Sequence, residues 1–200
     1  MEPFLQYLKA RYPVTGILVY GSFADGANDP ESDFDAIVLT DGGAETHDGT
    51  VVNGTPLDVF LCPEERLCGD FDCEAYLPAA WATVVYDQNG AAERLRKTVS
   101  DYAAAIPPKT DEEKRRLREW CGKTLRRAGR GDAEGNFRRA WLLTDSLEIW
   151  CELNDIPYRG VKKALHTLAE TDPEASRLYT RALSEETPDA LSAWIAFLLR

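Results

Sequence analysis

Two aspartates, Asp33 and Asp35, stand two residues apart at the head of an apolar run, Ala36-Ile37-Val38-Leu39. In an extended strand such residues share a face, with Cα atoms roughly 6.5–7 Å apart. Like charges held that close repel unless a hard cation lies between them. Mg²⁺ suits the role, since it takes oxygen ligands and is commonly shared between one or two carboxylates and substrate phosphates. A pair at this spacing is, taken alone, commonly a solvated strand edge. Two further features give it weight. Upstream, Gly16-Ile17-Leu18-Val19-Tyr20 runs into Gly21-Ser22, a turn that would offer backbone N–H groups and a hydroxyl to an anion if it opens a helix. Downstream, Asp58 sits inside Pro56-Leu57-Asp58-Val59-Phe60-Leu61, where an ionised carboxylate is costly unless paired or metal-bound. Three carboxylates converging from adjacent strands would hold two divalent ions about 3.5–4 Å apart, the arrangement used for phosphoryl displacement.

These residues need strands to carry them, and the first half of the chain supplies the pattern. An amphipathic helix is expected over residues 1–11, with Phe4, Leu5 and Leu8 at helical spacing. Short strands follow at 16–20 and 33–39. Residues 41–49 read as a Gly-rich loop, and Asn53-Gly54 between apolar runs predicts a hairpin returning through Leu57–Leu61. A further strand spans Ala82–Tyr86, and a helix starts at Ala91. Ile106-Pro107-Pro108 breaks the alternation and marks a boundary, giving units 1–106 and 107–200.

Beyond it the pattern is helical throughout. Thr110 and Glu113 form a capping box ahead of a stripe of Leu117, Trp120, Cys121, Leu125 and Ala128. Phe137, Ala140, Trp141, Thr144, Leu147 and Cys151 are expected to form the buried face of a second helix. Val161, Ala164, Leu165 and Leu168 mark a third. Asp172-Pro173 and Thr187-Pro188 start two more, a cap residue preceding a proline in each. The tryptophans at 81, 120, 141, 150 and 194 read as core aromatics, and His47 and His166 have no partner pattern.

Composition narrows the function. All of the net charge of −11 sits in residues 1–100, which hold 6 Lys/Arg against 17 Asp/Glu; residues 101–200 hold 17 of each. An acidic half argues against an extended nucleic-acid footprint and is compatible with a cationic substrate or divalent metals. There is no apolar run long enough to span a membrane and no basic-then-apolar leader, so a cytoplasmic location is expected. Five cysteines, an odd number, fit reduced thiols better than a disulfide framework.

The set Tyr20-Gly21-Ser22-Phe23-Ala24-Asp25-Gly26, Ser32-Asp33-Phe34-Asp35 and Leu57-Asp58-Val59 resembles the nucleotidyltransferase superfamily of DNA polymerase β, closest in style to the small bacterial antibiotic-modifying enzymes of the aminoglycoside and lincosamide type. The resemblance implies an α+β fold, a mixed sheet with flanking helices followed by an α-helical bundle. It implies that Gly21 and Ser22 bind the β/γ-phosphates of a nucleoside triphosphate, with ATP the expected one. Asp33, Asp35 and Asp58 would ligate two Mg²⁺ ions, and Asp58 would help activate an acceptor hydroxyl. That hydroxyl attacks the α-phosphorus and pyrophosphate leaves, a step resting on positioning and charge neutralisation.

Residues of the second half join this set. Lys162 and Lys163, at a helix start, are expected to reach a triphosphate. Asp145, Glu148 and Glu152 form an acidic stripe that would suit a cationic acceptor, with Glu148 placed to take its proton; a solvated helix face accounts for the same stripe. The expected function is transfer of a nucleoside monophosphate to a hydroxyl of a small cationic molecule, such as an antibiotic. A protein-modifying transferase of antitoxin type, or a nucleotide-binding regulatory module without turnover, are the alternatives.

Overall fold

Strand β1 (Val14–Val19) is buried from Thr15 onward, because both faces of the sheet around it are covered. The computed structural model describes residues 1–200 and divides them into two compact units, Met1–Ile106 and Pro107–Arg200. In the first, α1 (Glu2–Arg11), β1, α2 (Gly21–Asp25), β2 (Phe34–Thr40), β3 (Thr46–Asp48), β4 (Val51–Val52), β5 (Thr55–Pro63), β6 (Thr83–Asp87) and α3 (Ala91–Ala105) follow in chain order. The sheet order is β3-β5-β2-β1-β6, with β4 paired to β5. β2 and β5 run parallel and the other pairs are antiparallel, so the sheet is mixed.

Side-chain alternation divides the sheet into two cores. One face carries Val19, Phe34, Val38, Leu57, Val59 and Leu61 and is closed by Phe4 and Leu8 of α1. The other carries Leu18, Ile37, Leu39 and Cys62, packed against Ala92, Leu95 and Val99 of α3 and the short 3₁₀ turn Leu77–Trp81. The hairpin between β4 and β5 turns on Asn53 (φ 52°) and Gly54 (φ 87°), both left-handed as a type I′ turn requires.

β3 lies where a loop is expected. A three-residue edge strand has little pairing of its own to hold it, and Asp48 supplies the anchor. Its buried carboxylate accepts hydrogen bonds from Tyr12 Oη at 2.8 Å, Tyr7 Oη at 3.1 Å and the Thr50 N–H at 2.9 Å. Burial alone would raise its pKa, but the bonds from Thr50, Tyr12 and Tyr7 together outweigh burial and leave the carboxyl below its ordinary value. Asp48 therefore contributes stability that is fully present above the ordinary carboxylate pKa of about 3.9 and is lost as pH falls through the lower folded value. Asp48→Asn is expected to lower unfolding free energy at neutral pH by about 2 kcal/mol. Urea denaturation should show the gap between the two proteins closing on acidification; a gap of constant size would contradict this role.

The second unit contains α4 (Asp111–Ala128), α5 (Ala133–Leu153), α6 (Val161–Thr171), α7 (Pro173–Glu185) and α8 (Pro188–Leu198). Each of α4, α5, α7 and α8 begins with a side-chain cap, from Thr110, Asp132, Asp172 and Thr187 respectively. The core gathers Leu142, Leu147, Trp150, Leu168, Tyr179, Trp194 and Ile195. The Trp194 indole N–H donates to Ser146 Oγ at 2.8 Å, and Ser146 donates in turn to the Leu143 carbonyl at 2.9 Å.

The buried face of α5 is rotated from the expected one. Leu142, Ser146, Leu147, Ile149, Trp150 and Leu153 face inward, while Phe137 is 68% exposed and Trp141 41% exposed. α5 is apolar over more than one stripe near its C-terminal end, so packing against α4, α7 and α8, not periodicity, selects the inner face. Val161, 54% exposed, likewise stands off the apolar stripe of α6, because it occupies the first, least covered turn.

Candidate active site

The Gly21-Ser22 turn opens α2 directly after β1. Phe23 fixes the turn, packing edge-on against Phe4 and Phe34 with centroids 5.5 and 5.4 Å away. Gly21 takes φ +65°, and a Cβ there would overlap the Asp35 carboxylate at Oδ2. The turn and that carboxylate are therefore in direct apposition, and only glycine permits it. The Tyr20 N–H donates to the Asp35 carbonyl at 3.1 Å, which ties the end of β1 to the head of β2.

The loop between α2 and β2 is held by Ser32 and Asp29. The Asp29 N–H donates to Ser32 Oγ at 3.0 Å, and the Glu31 N–H donates to Asp29 Oδ1 at 2.9 Å. This turn delivers Asp33 one residue ahead of β2, where it is exposed, instead of inside the strand.

Asp35 and Asp58 are register partners in the parallel β2–β5 ladder. Adjacent strands lie about 4.8 Å apart, so the two carboxylates leave neighbouring points on one face. That face also bears Tyr20, whose hydroxyl pKa is raised by burial first and then by the Asp58 and Asp35 charges. Asp58 is not buried, contrary to the expectation from its apolar neighbours. Its side chain is 43% exposed, because Leu57 and Val59 point to the opposite face. It is partnered by His47 of β3, whose Nε2 lies 2.6 Å from Asp58 Oδ1. His47 is the residue that sequence patterning leaves out; its signal, a histidine beside an aspartate in Thr46-His47-Asp48, is masked by the surrounding glycines.

The donor set at this point, carboxylate oxygens of Asp35 and Asp58 with Asp33 at the margin, suits a hard divalent ion such as Mg²⁺. No three His, Cys, Asp or Glu side chains close on one another as a preformed metal cage. The geometry fits an ion shared with substrate phosphates, which needs only one or two carboxylates from the protein.

Residues 1–60, which run from α1 into β5 as far as Phe60, match the family model of the nucleotidyltransferase domain. Within the first unit, residues 1–60 are similar to the nucleotidyltransferase domain of the polymerase β-like superfamily. A solved structure, a nucleotidyltransferase-like protein from Exiguobacterium sibiricum 255-15, is similar over 98% of this chain and 71% of that chain, at 16% identity and a TM-score of 0.41. Comparison with curated proteins finds no match. The matched residues include Gly21, Ser22, Asp33, Asp35 and Asp58.

Glu148, Lys162 and Lys163 belong to the second unit. Glu148 is exposed on α5, and its charge helps raise the Tyr158 hydroxyl pKa, second to burial. Of its stripe mates, Glu152 pairs with Lys109 at 3.3 Å, and the Asp145 charge adds to burial in pushing the Cys121 thiol up to about 11. Lys162 is exposed and Lys163 half-buried in the first turn of α6. Residues 109–130 hold nine Lys/Arg against four Asp/Glu and are partly compensated locally: Arg115 and Arg116 pair with Glu112, Lys114 with Asp155, and Arg130 with Asp132 and Glu134. No helix is long and apolar enough to cross a membrane.

Proposed function

We propose that this chain transfers a nucleoside monophosphate from a nucleoside triphosphate, ATP in the first instance, to a hydroxyl of a small cationic acceptor of aminoglycoside-like chemistry. The observation that carries this reading is the Asp35–Asp58 register pair set against the Gly21-Ser22 turn. Asp35 and Asp58, with Asp33 at the margin, would hold divalent magnesium, whose bound charge neutralises the phosphates and the departing pyrophosphate. Two ions are proposed, with Asp33 serving the outer one.

The chain's own groups then have distinct tasks. Gly21 and Ser22 would orient the terminal phosphates through backbone N–H groups and a hydroxyl. The acceptor oxygen bonds to the α-phosphorus as the bond to the bridging oxygen breaks, and its proton passes to the Asp58 carboxylate and on to water. Lys162 and Lys163 are proposed contacts for the triphosphate, and Glu148 for a cationic acceptor. The acidic balance of residues 1–100 supports a cationic acceptor over an anionic one.

Pyrophosphate release is the direct test, measured with each of four nucleoside triphosphates and Mg²⁺ against aminoglycosides, lincosamides and neutral polyols. Release that depends on a cationic acceptor is the expected result. Release with neutral polyols alone would overturn the acceptor class, and release only with an added protein would replace it with protein modification.

A further inference from the structure

We infer that His47 is a positioning residue that fixes the Asp58 carboxylate for the divalent ion, an inference that rests on the metal-dependent reading above. Three observations carry it. In the antiparallel β3–β5 ladder His47 stands opposite Phe60, so Asp58, two residues before Phe60, is its diagonal neighbour on the same face. The imidazole packs on the Phe60 ring at a centroid distance of 5.0 Å, which limits its rotation, and Nε2 meets Asp58 Oδ1 at 2.6 Å. The next residue, Asp48, points through the sheet and is clamped by Tyr7, Tyr12 and Thr50.

An isolated exposed ion pair is worth little, since ordering two mobile side chains offsets most of the attraction. Here one partner is already ordered, because the strand that bears it is pinned by a buried carboxylate with three donors. The ordering is thus passed from α1, through Asp48 and β3, to the carboxylate of β5. A hydrogen bond that engages one oxygen of Asp58 leaves the other for the ion. Outer partners of metal ligands commonly change affinity by about 10–100-fold when removed.

The test uses the full chain and Mn²⁺ as the probe, titrated calorimetrically first without nucleotide and then with ATP present. His47→Phe, which removes the donor and keeps a ring, is expected to weaken Mn²⁺ binding by about 10–100-fold. His47→Gln, which keeps an N–H within reach, should recover most of it. Thermal midpoints should stay together, since both partners are half-exposed. Equal affinity in His47→Phe and parent would overturn the inference, and tighter binding would make His47 a competitor for Asp58, which also overturns it. A parent that binds no Mn²⁺ even with ATP present would remove the metal reading itself, an outcome distinct from a parent that binds and a variant that binds equally well.

Discussion

Replacing Asp35 by asparagine is expected to lower nucleotidyl transfer by about 10³-fold while leaving the fold intact. The substitution keeps the shape of the side chain, and the neighbouring packing of Ile37 and Leu39 is untouched. What it removes is a full negative charge at the point where β1, α2 and β2 meet. Metal-ion stabilisation of a phosphoryl transition state is worth several kcal/mol, and each ~1.4 kcal/mol is a factor of ten in rate. Asp35 is also the carboxylate most closely apposed to the Gly21-Ser22 turn, the proposed phosphate contact, so its loss should weaken Mg²⁺-dependent nucleotide binding along with turnover. Pyrophosphate release and calorimetric nucleotide binding check the two effects separately. Asp33→Asn, exposed and outside the strand, should cost less. A rate for Asp35→Asn within threefold of the parent would remove Asp35 from the machinery.

The paired strands at β1, β2 and β5 and the hairpin turn were legible because each states itself locally, through an apolar run bounded by Gly, Asp or Asn. Helices α4, α7 and α8 are legible for a similar reason, since a capping residue, with a proline after it in the last two, marks each start, whereas α5 and α6 are read from apolar spacing. What failed depended on distance. The exposure of Asp58 is hidden in the sequence because apolar neighbours at i±1 in a strand say nothing of the face the residue itself occupies. β3 has no local signal because its cohesion comes from Tyr7 and Tyr12, thirty-six or more residues away along the chain. His47 was missed with it, since its partner becomes visible only through the β3–β5 register. The exposed Phe137 and Trp141 show the same limit in a helix: several apolar stripes were available, and tertiary packing chose among them.

Gly21→Ala offers a sharper probe of the site than removal of any charge, because a matched control exists four residues from the turn. Gly21 and Gly26 have nearly the same backbone, φ +65° and +68°. An alanine at either must adopt the left-handed region, at about 1–2 kcal/mol. The surroundings differ completely. A Cβ at Gly26 meets nothing within 4 Å, whereas one at Gly21 runs into Asp35 Oδ2. Asp35 cannot retreat with its backbone, which is bonded to the Tyr20 N–H and paired to Asp58 in the ladder. Its carboxylate must therefore rotate away from the turn. Stability should fall by similar amounts in the two variants, since a carboxylate at the end of a side chain moves without disturbing the core. Activity should separate them: misplacing a reacting group by about 1 Å costs on the order of 10²-fold, so Gly21→Ala should lose at least that while Gly26→Ala stays within a few-fold of the parent. Thermal midpoints and pyrophosphate release on the same preparations make the comparison. Equal activity losses in the two variants would mean that backbone strain, not the Asp35 carboxylate, is what the turn conserves for function.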